Sequence, residues 1–244
     1  MKLNILGSSS AGNCYILQSD SEALIVEVGL RMTAIKQALG FNLNKVAGCI
    51  VSHLHNDHAK SVEDMIKAGV DVYAHGSVFE AKGIEHRRAK IIIPEKGFTV
   101  GQFKVYPFPV AHDVPTLGFL INHSETGNIL FLTDTFTCDY QFTDLSHILI
   151  EANYSTDMLD KNISSGRTNN GMKRRLRYSH MELQTTKKLL SAHDLSNVKT
   201  ITLIHLSSDN SDEKRFVEEV RALTGIVTRA ASSGLEIELL SKPF

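Results

Sequence analysis

An α/β fold with two sheets and helices packed outside them is predicted for this chain of 244 residues. Three observations predict it. Short apolar runs bounded by Gly, Ser or Asp come in two batches. Segments with helical spacing lie among and after them. No internal repeat or low-complexity linker divides the chain, so one domain over residues 1–244 is expected.

The elements follow in order. "KLNILG", "NCYILQS" and "EALIVEVG" read as strands with turns between them. "RMTAIKQALG" has helical spacing and a terminal glycine stop. "VAGCIVS" is a buried strand, and "DHAKSVEDMIKAG" after it is helical, with Asp57 near the N-terminus. "GFTVGQFKVYPFPVAH", "TLGFLIN", "NILFLTD" and "HILIEAN" return to strands. Residues 155–177 lack apolar periodicity and read as an irregular stretch. "SHMELQTTKKLLSAH" is helical, with His180 at its opening. "VKTITLIHLS" is a strand, "DEKRFVEEVRALTG" a helix and "LEIELL" a closing strand.

Composition narrows the function classes. The chain is 42% hydrophobic and 22% charged, which suits an ordinary globular core. Its formal net charge is -1, so any surface for a polyanion must be local. Three scattered cysteines do not make a disulfide framework or a cysteine-rich metal site. The N-terminus lacks a signal peptide's apolar stretch, and no run reaches a membrane span. A reduced, cytoplasmic protein without a membrane partner is expected.

The chemistry concentrates in "VSHLHNDHAK", which sets His53, His55, Asp57 and His58 within six positions behind a strand. Imidazole and carboxylate suit zinc, manganese or iron. His53 and His55 alternate and point the same way from extended backbone. Asp57 and His58 come after the turn and can face a second ion, so the spacing favours two metals. His112 follows "VYPFPVA", Asp134 follows "NILFLT" and His205 follows "VKTITLI". Each is a ligand type at the C-terminal end of an apolar strand, where a sheet presents residues to a cleft. His75, His86, His123, His147 and His193 lack companions at useful spacing and read as surface or core histidines. The Gly/Ser loop at 7–12 reads equally well as an anion cradle or a strand turn.

This order, HxHxDH and then His, Asp and His at long intervals, resembles the metallo-β-lactamase superfamily over essentially the whole chain. The resemblance implies an αββα four-layer sandwich with the site along one edge of the two sheets. It implies one divalent ion on His53, His55 and His112, a second on Asp57, His58 and His205, and Asp134 bridging them, with zinc first and manganese or iron as alternatives. "GSSSAGN", "IEANY", "SHMEL" and "HLSSDN" further resemble the YycJ/WalJ exonuclease group, related to RNase Z and the phosphodiesterase PhnP. One departure stands out: "EVG" puts Glu27 where the superfamily usually has Asp.

Two metals with an open face suit hydrolysis, because a bridging hydroxide forms at neutral pH. A nucleotide oxygen leaves poorly and benefits from a general acid. His180 is a candidate acid and Glu151 a candidate partner for its ring. By spacing alone they read equally as a helix cap and a lysine partner. Resemblance to RNase Z, where a similar Glu pairs with a similar His, favours catalysis. Asp57 is a candidate base that orients the attacking water. Residues 160–179, "DKNISSGRTNNGMKRRLRYS", gather basic residues between two anchors at the cleft, and Gly, Ser and Asn there predict a mobile loop. Lys173, Arg174, Arg175 and Arg177 are its candidate phosphate contacts. The expected function is a dinuclear phosphodiesterase, a nuclease of the 5'-to-3' DNA exonuclease kind, with DNA favoured over RNA. Two alternatives stand beside it: hydrolysis of a small phosphodiester, thioester or lactone, and a metal-stabilised nucleic-acid-binding module without turnover.

Overall fold

Two runs of strands build two sheets. The chain opens with β1 (Lys2–Gly7), β2 (Cys14–Gln18), β3 (Ala23–Val26), α1 (Met32–Ala38) and β4 (Val46–Val51). It continues with α2 (Asn56–Ala59), α3 (Val62–Lys67), β5 (Val72–Ala74), α4 (Gly76–Lys82) and β6 (Ala89–Ile91). Then come β7 (Phe98–Val100), β8 (Phe103–Val110), β9 (Thr116–His123), β10 (Gly127–Leu132) and β11 (Leu145–Glu151). The last third holds α5 (Thr156–Ser164), α6 (Asn170–Ser179), α7 (Leu183–Ala192), β12 (Thr200–Ile204), α8 (Glu213–Thr224), β13 (Val227–Ala230) and β14 (Leu235–Glu238). This computed structural model describes residues 1–167 and 170–240, apart from the side chains of Asn170, Met172 and Lys173.

The first sheet has the order β14-β1-β2-β3-β4-β5-β6 and the second β13-β12-β11-β10-β9-β8-β7. Each is antiparallel on one side and parallel on the other, with the change at β3 and at β10. Alternation along the strands explains the layering. Ile50 of β4 faces Phe131 and Leu149 in the core between the sheets, while Cys49 and Val51 face the opposite way. Those two pack with Ile35, Val62, Met65 and Phe79 from the outer helices. In the second sheet, Ile148 and Ile150 pack against Leu190, Phe216 and Val220 of α7 and α8. Three apolar seams thus separate four layers, the αββα sandwich. Strands buried on both faces carry no exposed polar alternation, and β11 is buried at every position, with Ile148, Leu149 and Ile150 in a row.

Three readings change. Residues 155–177 are not irregular: α5 and α6 occupy most of the segment. Arg, Lys, Leu and Met are strong helix formers, and Leu176 anchors α6 by packing with Tyr154 and Leu159. The apolar stripe is too thin to show as periodicity. His180 does not open a helix but sits in the turn between α6 and α7, whose N-cap is Glu182. The helix after His58 is broken at Ser61, whose N–H and hydroxyl bond to the Val28 and Leu30 carbonyls. Among the described residues no helix is long and apolar enough to cross a membrane. Cys14, Cys49 and Cys138 are free thiols.

Candidate metal centre

The strand ends converge at one edge of the sandwich. Beyond β4, His53 Nε2 lies 3.0 Å from His55 Nδ1, and His112 Nε2, from the end of β8, lies 3.4 Å from the same atom. Asp57 Oδ2 stands 3.4 Å from His58 Nε2 and 3.4 Å from His205 Nε2. Asp134 Oδ2 is 3.0 Å from His58 Nε2 and completes a further group with His53 and His58. All seven candidate ligands are therefore brought together, in two triads with Asp134 between them.

The donor set fits divalent ions. Two nitrogens on one tetrahedral ion, each bonded at about 2.0–2.1 Å, stand about 3.3 Å apart, and the separations here scatter around that value. His205 Nε2 is buried without a hydrogen-bond partner and faces Asp57. A fourth grouping of Asp134, Glu151, His180 and His205 is better read as a hydrogen-bond network. The Glu151–His180 contact is 2.7 Å, and the other Glu151 oxygen already accepts from the Thr135 and Met181 amides.

Each imidazole of the two triads has a partner behind it, which orients the ring. His112 Nδ1 donates to the Ser179 carbonyl at 2.7 Å, which turns Nε2 toward His55 and Asp113, the latter's Oδ1 being 3.0 Å away. His53 Nδ1 pairs with the Ser52 hydroxyl at 2.9 Å. His55 Nε2 lies 3.5 Å from Asp113, and His205 Nδ1 lies 3.2 Å from Glu151. Glu27, fully buried, sets one oxygen on the Ser52 amide and the other 3.4 Å from His58 Nδ1. The longer carboxylate therefore still reaches a candidate ligand histidine. Glu27→Gln keeps its shape and removes its charge. It is expected to weaken metal binding at the His58 triad about 10–100-fold, measured by competition with a chelator. Unchanged affinity for every ion would reduce the carboxylate to a space filler.

Local sequence explains the close approach. Glu27, Asp134 and His205 follow β3, β10 and β12 with φ of 67°, 49° and 54°. Such left-handed backbone costs about 1–3 kcal/mol at a residue with a side chain and turns each one out of its sheet. A Cβ on Gly29 would overlap the Asp57 carbonyl, so only glycine lets "EVG" meet α2. Asn13 binds the same carbonyl through its N–H at 2.7 Å and through its amide group at 3.2 Å. The Gly/Ser loop thus packs beneath the site, and its Ser8 hydroxyl accepts from the His205 N–H.

Charge is divided within the centre. Burial holds His53 well below its ordinary range, helped by the charge on His58. Burial likewise lowers His112, so both rings are neutral donors. Burial works against charge on His205, but Asp134, Asp57 and Glu151 outweigh it and push the group up to about 10. His58 is raised in the same way, against its burial, by Asp134 and Glu27. Burial would raise Asp134, yet His205 and His58 hold it well below the carboxylate range. These buried carboxylates call for positive charge, from protons on His58 and His205 or from metal ions in their place.

His180 lines a cleft beside the centre, and burial of its ring is outweighed by Glu151, which raises its pKa. Arg174 and Arg175 line cavities there, whereas Arg177 stands nearer Tyr154. The Lys173 side chain lies outside the described residues. Sequence reasoning missed Asp113, Asn13, Ser52 and the Ser179 carbonyl, none of which carries a spacing signal of its own. The five remaining histidines stay away from the centre. His75 caps α4, for example, and His193 bonds the Leu189 carbonyl.

Fold and site define a hydrolase that works with divalent metal ions. The chain belongs to the metallo-β-lactamase superfamily, whose family model matches residues 9–158. It is similar to exodeoxyribonuclease YycJ of Bacillus anthracis, 29% identical over 229 residues that cover 86% of this chain and 84% of that one. A diphosphatase from the PhnP family shares the fold with a TM-score of 0.67 at 17% identity, covering 98% of each chain. Human tRNase Z, short form, shares it with a TM-score of 0.62 at 15% identity, covering 98% of this chain and 99% of that one.

Proposed function

We propose that this chain is a nuclease, a phosphodiesterase on nucleic acid with DNA favoured, that works with two divalent ions, zinc foremost. The observation that carries the reading is the Glu151–His180 pair, 2.7 Å apart and beside the His/Asp centre. A proton donor so placed serves an alkoxide leaving group, which a thioester would not need. Similarity to an exodeoxyribonuclease supports the same substrate class.

In this reading His53, His55 and His112 would hold one ion and Asp57, His58 and His205 the other, with Asp134, grouped with His53 and His58, available to either. When bound, such ions polarise phosphoryl oxygens and lower the pKa of water. The protein's own groups do the rest. Glu151 keeps the proton on His180 Nδ1 and fixes the ring, so that Nε2 can deliver a proton to the leaving oxygen. Asp57, less buried than Asp134, orients water from the open side. Arg174 and Arg175 of α6 meet backbone phosphates and hold the strand across the centre.

The test compares initial rates of metal-loaded protein on end-labelled duplex DNA, single-stranded DNA, RNA and a chromogenic phosphodiester. Hydrolysis confined to the small diester would favour a small-molecule enzyme. A second measurement addresses α6. Replacing Arg174 and Arg175 with Gln is expected to lower the log–log salt slope of duplex binding by about 2 units, at about 0.9 per phosphate contact. Arg177→Gln should change the slope little. An unchanged slope in the double variant would remove α6 from the binding surface.

A further inference from the structure

A cavity of about 380 Å³ opens beside the centre, lined by His180 and His205 together with Arg167, Arg175, Ser10 and Ser207. Its chemistry is that of an anion site. Two guanidiniums are fixed cations that match phosphate oxygens with paired N–H donors. The Ser207 hydroxyl accepts from the Asn210 amide at 3.2 Å and from the Asp209 amide at 3.4 Å, which leaves its own proton to donate outward. Asn153, 5% exposed, also lines the cavity, and its unpartnered Oδ1 is an acceptor that suits a sugar hydroxyl or base N–H beside the anion, not the anion itself. Asp209 is the one acid on the rim, against two arginines. Leu176 and Leu206 offer an apolar patch to a sugar or base.

Size and charge distinguish a strand's end from its interior. The volume admits about one nucleotide-sized group, near the lower end of small-molecule sites. A terminal phosphomonoester carries about -1.5 to -2 at neutral pH, more than an internal diester, and two arginines suit the larger charge. We propose that this cavity seats the terminal phosphate of the strand being cut, so that the enzyme prefers phosphorylated ends to hydroxyl ends. The proposal rests on the nuclease reading and deepens it.

The experiment uses the metal-loaded full chain on DNA and RNA strands that differ only in ending in phosphate or hydroxyl, at either terminus. Phosphorylated ends of one polarity are expected to be cut about 10–100-fold faster, the worth of one or two charge-assisted hydrogen bonds. Arg167→Gln, at an exposed position, should bring that ratio toward one, as should Ser207→Ala. Equal rates on both kinds of end, with nucleic acid still hydrolysed, overturn the pocket and leave the nuclease reading intact. A preference that survives both substitutions overturns it as well. Failure to hydrolyse any nucleic acid, with the chromogenic diester still turned over, sinks the nuclease reading and this proposal with it.

Discussion

Replacing His55 with alanine is expected to abolish hydrolysis and to lower the metal content after loading from about two ions per chain to about one. His55 Nδ1 is the shared neighbour in its triad, 3.0 Å from His53 Nε2 and 3.4 Å from His112 Nε2. Removing it leaves two imidazoles and only the shared Asp134, a depleted set for an ion in an open site. Losing the several kcal/mol that a metal contributes to transition-state charge corresponds to a rate loss of about 10³-fold or more. Elemental analysis and turnover on the chromogenic diester check both halves. The alternative outcome is one ion in the unmodified protein, with Asp57 and His205 dispensable for turnover. That result would reduce the centre to a single triad, and the second would be a hydrogen-bonded cluster.

His180→Ala is expected to lower turnover on nucleic acid by about 10²–10⁴-fold, the range for a lost general acid. A nitrophenyl ester of the same phosphate should suffer much less, because nitrophenolate leaves without a proton. Metal content should stay unchanged. The choice of residue matters here. Glu151 touches His180 at 2.7 Å and His205 at 3.2 Å, so a substitution of Glu151 would disturb a candidate ligand together with the acid. His180 can be removed with less effect on the second triad. Equal losses on both substrates, or loss of metal, would assign the ring a structural or ligand role instead.

The sandwich was readable because its strands announce themselves locally. β4, β10 and β12 are largely apolar runs of five or six residues, β11 carries the apolar stretch Ile148–Ile150, and polar ligand types follow each. The less apolar elements were harder to see. β5 and β6 have three residues each, and α4 has seven. Periodicity needs more residues than that to stand out. The α5–α6 region misled for a related reason. Its Gly, Ser and Asn suggested a loop, whereas helix-forming residues in "MKRRLR" and one buried leucine decide the outcome.

By itself the sequence determined the identity and order of the candidate ligands. His53, His55, Asp57 and His58 are close along the chain, and the spacing of an extended segment before a helix turn already separates them into two directions. It also determined that His112, Asp134 and His205 stand at strand ends; Asp134 and His205 follow strands of the parallel half, and β8, two antiparallel steps from β10, runs in the same direction and brings His112 to the same edge. Only the tertiary structure decided what stands behind each ligand. Glu27 meets His58 across 31 positions, Ser179 meets His112 across 67, and Glu151 meets His205 across 54. Such pairings depend on how sheets and helices dock, and no local spacing encodes them. The same holds for the cavity that joins Ser10 to Arg167 and Ser207, and for the left-handed backbone at Glu27, Asp134 and His205. Strain of that kind persists because the packing around it is over-determined, and packing is a property of the assembled layers.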